Sequence, residues 1–503
     1  MVTCQHCGSK NITRNGGNFN TKAGLKSRKK CLDCGTSFTV LIETETKIKS
    51  GVRSLVITSA INGTGTNLAF LNCLKNYADH NNCDLLIIPT RHKNLGEAYE
   101  PDFDENVEPY LIDSTIEYPE YGLRIFGGLK LSASLENPLS GLDPLSKGHT
   151  LIVGHPQVQL RTLPRVHDKY PPILTTTGSV SLKPYQNTKP GVKASFNHSY
   201  SAIVVEFDEL LGDKFVHVRH LNYDEDTNGF FDLNTHYNET DVDVFADAAK
   251  ALITGDEHAI FADPVVKHVT YTAPNSLVNI LGPEIIVRHD VLDSHSISHH
   301  HKKDFIKTFK KHSKNMQSLE KELDITISYL NQTTPHFADS FIVQSNHNEH
   351  LTRWLNECNP KNEPWNAKIY HKLMYEILDR IDRGINDVDP FQLYAFGKLK
   401  DNIHFVKRHD ELVVDDIHLA SHGDEGNNGA RGTRDQFSIL PDKTVIGHSH
   451  SPGIEKGCYQ VGTSSLLRLG YNTGASSWHH CHCIIHQNGK RQLVFITNGK
   501  YRK

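Results

Sequence analysis

Five apolar segments, each ending in residues that commonly bind metals, constrain the fold of this chain more than any other feature of its sequence. Residues 251–258 come first and end in Asp256 and His258, which lie two apart and point to the same side of an extended chain. A carboxylate oxygen and an imidazole nitrogen can bind one ion together. The same pattern returns in residues 284–290, 341–347, 417–422 and 445–450. Because sites in open α/β folds form at the carboxyl ends of strands, these ends predict one metal cluster.

The order of these residues along the chain, Asp-x-His, Asp, Asn-His, His and Gly-His-x-His, resembles that of the calcineurin-like metallophosphoesterases. The resemblance covers roughly the second half of the chain, and Gly447-His-Ser-His450 is its most specific part. Gly462-Thr-Ser464 is similar to the small-residue turn that follows in that family. The resemblance implies a four-layer α/β/β/α sandwich for residues 246–503. The alternative is five unrelated strand ends that carry ordinary polar residues.

Three positions depart from the family pattern. His289 replaces the glycine that usually precedes the second aspartate, and Ser345 replaces the glycine before Asn346. Asn348 stands where an acidic residue usually follows the histidine. These departures bear on the orientation of His347 more than on the metal site itself.

The resemblance also implies a role for each ligand. Asp256, His258 and His450 are expected to hold a first metal, Asn346, His422 and His448 a second, and Asp290 to bridge them. Paired metals about 3.5–4 Å apart grip the phosphoryl oxygens during in-line attack. His347 follows Asn346 directly, so it is expected to stabilise the transition state or protonate the leaving oxygen. Mixed Asp, Asn and His ligation suits Mn²⁺, Fe or Zn²⁺, and we expect Mn²⁺ in the active enzyme.

A second metal site is predicted in residues 1–46. Cys4, Cys7, Cys31 and Cys34 form two Cys-x-x-Cys pairs, the spacing of one structural Zn²⁺ site. The segment resembles the zinc ribbons found at the front of transposases and other DNA-handling proteins. The basic residues between the pairs, with Lys26, Arg28, Lys29 and Lys30 as the expected DNA contacts, could bind phosphates. The alternatives are a purely structural ribbon and one that docks onto protein.

Residues 52–245 predict an α/β accessory domain. Apolar runs at 54–59 and 83–89 flank a segment with helical spacing at 67–77, which is a βαβ opening. Residues 62–66 contain two glycines but no following lysine, so they fit no standard phosphate-binding loop. We expect a turn there that caps the helix.

Three helices are predicted in the second half of the chain. Residues 241–250 indicate a short acidic helix, and residues 364–381 indicate a helix with Trp365 in the core. Residues 302–330 indicate one long helix whose lysines, among them Lys307, Lys310 and Lys311, are expected to meet a polyanion. The alternative for these lysines is an ordinary solvated face.

The composition limits the partners and the compartment that can be expected for this chain. The 503 residues carry a net charge of -4, so any attraction to DNA must come from local patches. No signal peptide or membrane-spanning run is visible, and ten cysteines favour thiols and metal ligands in a reducing cytoplasm. We expect DNA as the partner and no membrane. A homo-oligomer is compatible with the sequence, which does not fix the assembly.

The whole layout is similar to the host-DNA-degrading pre-early proteins of large tailed phages. That resemblance rests on the α/β segment before the phosphoesterase and on Leu467-Arg-Leu-Gly-Tyr-Asn472 with Ser476-Ser-Trp478. It implies a metal-dependent DNase acting in the cytoplasm of an infected bacterium. Two alternatives stay open: a phosphodiesterase or phosphatase for small nucleotides, and a DNA-binding regulatory protein that retains metal but lacks turnover.

Overall fold

The chain forms two compact units, Met1–Ser50 and Gly51–Lys503, in a mixed α/β structure with several sheets. A computed structural model describes residues 4, 6–21, 24–41, 54–91, 103–112, 114–166, 170–299, 304–470 and 472–503. Within these ranges the side chains of residues 14–21, 24–28 and 39–41 are not described.

The first unit is a small antiparallel sheet. Its strands are β1 (Ile12–Thr21), β2 (Gly24–Cys31) and β3 (Ser37–Leu41), paired in that order. Each Cys-x-x-Cys pair lies in a turn where a glycine N–H donates to the first cysteine's carbonyl, Gly8 to Cys4 and Gly35 to Cys31, both at 2.9 Å. Both glycines have positive φ, 72° and 73°, a backbone conformation that other residues adopt at a cost.

The second unit opens with the predicted βαβ arrangement. Its first elements are β4 (Ser54–Ile61), α1 (Leu68–His80) and β5 (Asp84–Thr90), and β4 and β5 are parallel. Helix α1 begins after Asn67, whose side chain accepts a hydrogen bond from the Phe70 N–H at 3.1 Å. Residues 62–66 thus form the turn before a capped helix, as the sequence predicts.

Strands dominate the next part of the chain. In order they are β6 (Thr115–Tyr118), β7 (Leu123–Phe126), β8 (Thr150–Val153), β9 (Gln159–Thr162), β10 (Ile173–Thr176), helix α2 (Lys189–Asn197), β11 (Ser201–Leu210), β12 (Asp213–Asn222), β13 (Phe230–Asp232), β14 (Thr235–Tyr237) and β15 (Val242–Val244). β12, β11, β4 and β5 form a four-stranded sheet in that order, and β13, β14 and β15 form a three-stranded one.

Most helices lie between β16 and β19. The elements are β16 (Ala249–Ile253), α3 (Pro264–Lys267), α4 (Leu277–Leu281), β17 (Ile285–Arg288), α5 (Phe305–Ser313), α6 (Leu319–Thr333), β18 (Asp339–Val343), α7 (Asn346–Glu357), α8 (Ala367–Asp382), α9 (Pro390–Ala395) and β19 (Ile403–Val406). The last elements are β20 (Val413–Val414), β21 (Ile417–His418), α10 (Arg434–Ser438), β22 (Lys443–Ile446), β23 (Gly453–Glu455), β24 (Cys458–Gln460), β25 (Cys481–His486) and β26 (Arg491–Phe495).

A six-stranded sheet, ordered β19-β18-β17-β16-β25-β26, carries much of the core. Its first four strands are parallel. One face presents Leu252, Ile286, Ile342 and Ile403, which pack in clusters with residues of helices α4, α6, α7 and α8. Helices thus cover this face of the sheet, and the strand ends remain available for a site.

A ten-stranded sheet takes strands from both sides of residue 246. Its order is β20-β21-β22-β24-β23-β9-β10-β8-β7-β6, and β23 joins the two parts by pairing with β9. The boundary between residues 245 and 246 therefore does not separate the sheets, and the ranges 52–245 and 246–503 both contribute to one compact unit.

Three local expectations are wrong. Residues 241–250 form β15 and the start of β16 instead of a helix, because residues 249–253 pair with β17 and β25. Residues 302–330 do not form one helix: Asn315 has a φ of 54°, and Ser318 starts α6 by accepting a hydrogen bond from the Lys321 N–H. Trp365 precedes α8 and is 42% exposed instead of buried.

Candidate metal centre

The carboxyl ends of parallel strands in two different sheets carry the predicted ligands. Asp256 and His258 follow β16, Asp290 follows β17, Asn346 and His347 follow β18, His422 follows β21, and His448 and His450 follow β22. The first three strands belong to the six-stranded sheet and the last two to the ten-stranded sheet. Neighbouring parallel strands end at the same edge, so side chains far apart in sequence meet there.

Asp256, His258, Asp290 and His450 form the tightest group. All four are buried, and each offers a ligand atom within 4.8 Å of the others. Nε2 of His450 lies 3.0 Å from Nε2 of His258 and 3.0 Å from Oδ2 of Asp256. Adjacent ligands about 2.1 Å from one ion are about 3.0 Å apart in octahedral coordination and about 3.4 Å apart in tetrahedral coordination. The structure thus brings together the three residues expected at the first metal and the carboxylate expected to bridge.

The second expected set adjoins Asp290. Nε2 of His422 lies 3.1 Å from Oδ2 of Asp290, and the same oxygen lies 3.8 Å from Nε2 of His258. The His448 ring meets the His422 ring edge-on, with centroids 5.3 Å apart. Asn346 is the first residue of α7. Asp290 therefore lies between His258 and His422, which belong to the two expected metal-binding sets.

The polar atoms of the cluster fit a bound cation. The buried atoms without a hydrogen-bond partner among the described residues include Oδ1 of Asp256, Oδ1 of Asp290, Oδ1 of Asn346 and Nδ1 of His450. Buried polar atoms are normally hydrogen-bonded, so such a concentration of unsatisfied ones needs another partner. Two buried carboxylates at the same place also need positive charge, which metal ions would supply.

Electrostatics at the cluster show the same need for positive charge. Burial raises the pKa of Asp290, but the imidazoles of His422 and His347 outweigh it and hold that pKa well below its usual range. Burial lowers the pKa of His258, but Asp293 and Asp290 outweigh it and raise that pKa to about 9. The buried carboxylates therefore stay ionised and draw positive charge into the cluster, a charge that bound metal ions would also supply.

Backbone strain is concentrated at this site. Asp290 has a φ of 45°, His258 of 41°, His448 of 73° and His450 of 58°. Residues other than glycine rarely adopt this left-handed conformation, and such strain collects at functional sites. A Cβ on Gly447 would lie 2.3 Å from Oδ1 of Asp256, so only glycine fits before His448.

His347 points its ring at the cluster. Its Nδ1 lies 2.5 Å from the carbonyl oxygen of Asp293, and its Nε2 lies 3.9 Å from Oδ2 of Asp290. A carbonyl oxygen only accepts hydrogen bonds, so Nδ1 carries the proton and donates it there. Nε2 is left facing the cluster, where it can exchange a proton with a bound group.

Two of the three departures from the family pattern contact each other. The Ser345 side chain caps α7 by accepting a hydrogen bond from the His347 N–H at 3.2 Å, and its hydroxyl donates to Oδ1 of Asn348 at 3.1 Å. The third departure, His289, is buried with its Nδ1 3.4 Å from Nδ1 of His422. All three side chains thus support residues of the cluster.

Asp293 contacts the cluster although the sequence pattern does not predict it. Its Oδ2 lies 2.7 Å from Nδ1 of His258, and His258, Asp293 and His347 form a second group whose ligand atoms lie within 4.8 Å of one another. A carboxylate on the far nitrogen of a metal-binding histidine fixes the ring's orientation and tautomer. The available signal was the second aspartate three residues after Asp290.

The four cysteines of the first unit also come together. Sγ of Cys4 lies 3.6 Å from Sγ of Cys34, and Sγ of Cys7 lies 3.6 Å from Sγ of Cys31. Thiolates bound at about 2.3 Å to one tetrahedral zinc are about 3.8 Å apart. The cluster fits a structural zinc ion.

The expected DNA contacts differ in their environment. Lys30, Lys307 and Lys310 are exposed, Lys29 is partly exposed, and the side chains of Lys26 and Arg28 lie outside the described part. Lys311 is buried, and its Nζ donates to the carbonyl oxygen of His295 at 2.6 Å. The expectation that Lys311 contacts DNA is therefore wrong, because its ammonium group is used inside the protein.

Comparison with known proteins gives one informative match. The chain is 29% identical over 470 residues to Protein A1 of Escherichia phage T5, and the alignment covers 90% of this chain and 84% of that protein. The name of this relative states no activity. No family model and no solved structure match the chain. Among the described residues, no helix has the length and apolar composition needed to cross a membrane.

The site and the comparison together support a phage protein with two metal-binding clusters. One is a four-cysteine cluster that fits structural zinc, and the other is a buried Asp/His cluster consistent with a metal-dependent hydrolase.

Proposed function

We propose that this protein is a two-metal phosphodiesterase of the calcineurin-like metallophosphoesterase type that cleaves DNA. The observation that carries the proposal is the buried cluster of Asp256, His258, Asp290 and His450, assembled from the strand ends of two sheets. Mn²⁺ is the expected metal, with Fe or Zn²⁺ as alternatives. The helices on one face of the six-stranded sheet support the four-layer sandwich expected for that family.

The chain's own residues orient and protonate the reacting groups. Two divalent ions, when bound, supply positive charge for the phosphoryl oxygens and lower the pKa of an attacking water. Asp293 holds Nδ1 of His258 and thereby turns Nε2 toward Asp290. His347, fixed through Nδ1 by the Asp293 carbonyl, presents Nε2 to the cluster and can protonate the leaving oxygen.

DNA is the proposed substrate for two reasons. The relative in phage T5 places a similar chain in a virus that infects bacteria, where host DNA is an abundant polyanion. Lys307 and Lys310 on α5 are exposed, and Lys311 of the same helix bonds to the turn that follows Asp293. We propose that the protein degrades host DNA in the cytoplasm of the infected cell.

Plasmid cleavage tests the proposal. Purified full-length protein is expected to nick and then fragment supercoiled plasmid in Mn²⁺ and to leave it intact in excess chelator. Asp290→Asn should nearly abolish cleavage because it removes the bridging charge. His347→Ala should keep the metal yet lower the rate about a hundredfold or more. Asp226→Asn, at an exposed aspartate in the turn between β12 and β13, serves as the matched control.

Other outcomes would point elsewhere. Metal-dependent hydrolysis of a small chromogenic diester without plasmid cleavage would replace DNA with a small nucleotide. Metal-loaded protein that binds DNA but cleaves neither substrate would indicate a regulatory protein. Parent-like cleavage by both Asp290→Asn and His347→Ala would show that the assigned site is wrong.

A further inference from the structure

Helix α5 exposes its apolar side chains and buries a charged one, the reverse of an ordinary surface helix. Phe305, Ile306 and Phe309 are 82%, 64% and 64% exposed, whereas Lys311 is buried and Thr308 is half-buried. A surface helix normally turns its apolar stripe to the core and its polar face to water. The exposed apolar stripe makes no contribution to the core of this protein, so it is suited to a partner.

Exposed lysines lie beside this apolar stripe. Lys307, Lys310 and Lys314 are all exposed, and Lys310 lies about one helical turn from Ile306. Lys307 is 3.7 Å from Asp304, an exposed pairing that solvent screens strongly. Neighbouring aromatic rings and ammonium groups are complementary to a chain of bases and phosphates.

The inner side of α5 is bonded to the metal centre's own loop. Nζ of Lys311 donates to the carbonyl oxygens of His295 and Ser296 at 2.6 and 3.3 Å. These residues follow Asp293, whose carboxylate lies 2.7 Å from Nδ1 of His258. Helix α5 is therefore fixed to the segment that follows Asp293.

A cavity of about 390 Å³ opens beside α5. Its lining includes Thr308 and His312 of the helix and Trp365, whose ring meets the His312 ring edge-on at 4.5 Å. Cavities of about 300 Å³ or more accommodate small organic ligands. This one has room for an unstacked base against an indole that is 42% exposed.

We infer that the outer face of α5 and this cavity bind single-stranded DNA, an inference that rests on the proposed function. Unpaired bases stack on exposed aromatic side chains while lysines neutralise the backbone, a mode of binding that tolerates any sequence. In a duplex the base faces are covered by their neighbours, so Phe305 and Phe309 would gain nothing from it. The surface therefore favours unpaired strands.

Binding measurements on the full-length protein test this surface. Fluorescence anisotropy compares a labelled thymidine single strand with a duplex of equal length, without added divalent metal so that cleavage does not interfere. The double variant Phe305→Ala/Phe309→Ala should weaken single-strand binding about fivefold or more, since each stacked base contributes that much or more. Duplex binding should change less than about twofold, because the lysines remain. Phe196→Ala on α2, 86% exposed, is the matched control and should change neither.

Other binding results would overturn the inference. Equal losses for single strand and duplex, or no loss for either, would remove the stacking role of α5. A parent protein that sediments as a dimer, with a monomeric double variant that binds single strand normally, would assign the surface to a second copy of the chain. Thermal melting checks that the double variant is folded. Parent protein that binds the strand through α5 yet hydrolyses neither plasmid nor a small diester would refute the proposed nuclease and leave this surface standing.

Discussion

Asp293 links the two histidines on which the proposed chemistry depends, and it does so with two different atoms. Its side-chain Oδ2 lies 2.7 Å from Nδ1 of His258, while its main-chain oxygen accepts the hydrogen bond from Nδ1 of His347 at 2.5 Å. A substitution of the side chain changes the first contact and leaves the second in place. A substitution of Asp293 is therefore expected to affect metal binding without affecting proton transfer by His347.

The first prediction concerns Asp293→Asn. The variant should bind Mn²⁺ about 10–100-fold more weakly, because the carboxylate that fixes the His258 ring loses its charge. At saturating Mn²⁺ its rate should approach that of the parent, since the carbonyl that holds His347 remains. Calorimetric titration and the Mn²⁺ dependence of diester hydrolysis measure these two quantities, with Asp226→Asn as control. Parent-like Mn²⁺ affinity with a low saturated rate would instead place the side chain's role at His347.

The sequence identifies residues of the cluster better than it identifies their supports. Ligands such as Asp256 and His258 follow directly after an apolar strand, so local pattern is sufficient. Asp293 acts through left-handed turns at Asp290 and Ser294, which no periodicity reveals. Lys311 looks like any other lysine of a basic run, and only tertiary structure shows that it is buried.

The turn after Asp293 is held from both sides by neighbouring helices. The carboxylate of Glu322, on α6, accepts the N–H groups of His295 and Ser296 at 2.9 and 2.8 Å. Lys311, on α5, donates to the carbonyl oxygens of the same two residues. The break between α5 and α6, absent from the sequence prediction, is what lets two helices approach one turn from different directions.

The second prediction is a pH dependence from Glu322. Burial and the neighbouring Asp293 raise its pKa from 4.5 to about 7. The folded state therefore binds more protons than the unfolded state between these values, so the stability from protonated Glu322 is full below pH 4.5 and is lost by about pH 7. The full effect is on the order of 3 kcal/mol of unfolding free energy. Glu322→Gln should lack this decline.

Thermal melting between pH 5 and pH 7 measures the effect as a difference between parent and variant. The stability advantage of the parent over Glu322→Gln should shrink as the pH rises. Glu320→Gln, at a more exposed position on the same helix, is the control and should follow the parent. Parallel curves for parent and Glu322→Gln would show that this carboxyl titrates normally.

Element types were predictable where one face of a long segment is apolar. Strands β4, β5, β16 and β18 follow from apolar runs, and α1 follows from its helical spacing. Residues 249 and 250 were assigned to a helix although they begin β16, because their pairing partners in β17 and β25 are distant in sequence. Pairing of this kind is set by the sheet as a whole.

At the scale of the whole molecule, the ten-stranded sheet joins the two halves of Gly51–Lys503. Strand β23 pairs with β9 through residues 453–455 and 159–161. His448 and His450 lie in the segment between β22 and β23, so the position of two expected ligands depends on a strand from the first half. This exchange of strands leaves no local trace in the sequence.

The third prediction compares two shortened chains. A chain of residues 51–503 keeps every strand of the larger unit, so it should fold, hydrolyse a small chromogenic diester at the parent rate and contain one zinc fewer per chain. It should bind DNA more weakly, and the logarithm of its affinity should fall less steeply with the logarithm of salt concentration, because the ribbon lysines no longer release counterions.

A chain of residues 246–503 loses β9 and with it the partner of β23, so it should fail to fold cooperatively. Circular dichroism, elemental analysis and binding at several salt concentrations measure these outcomes. An active, cooperatively folded 246–503 chain would show that the shared sheet is dispensable, and an unchanged zinc content in 51–503 would remove the metal from the ribbon.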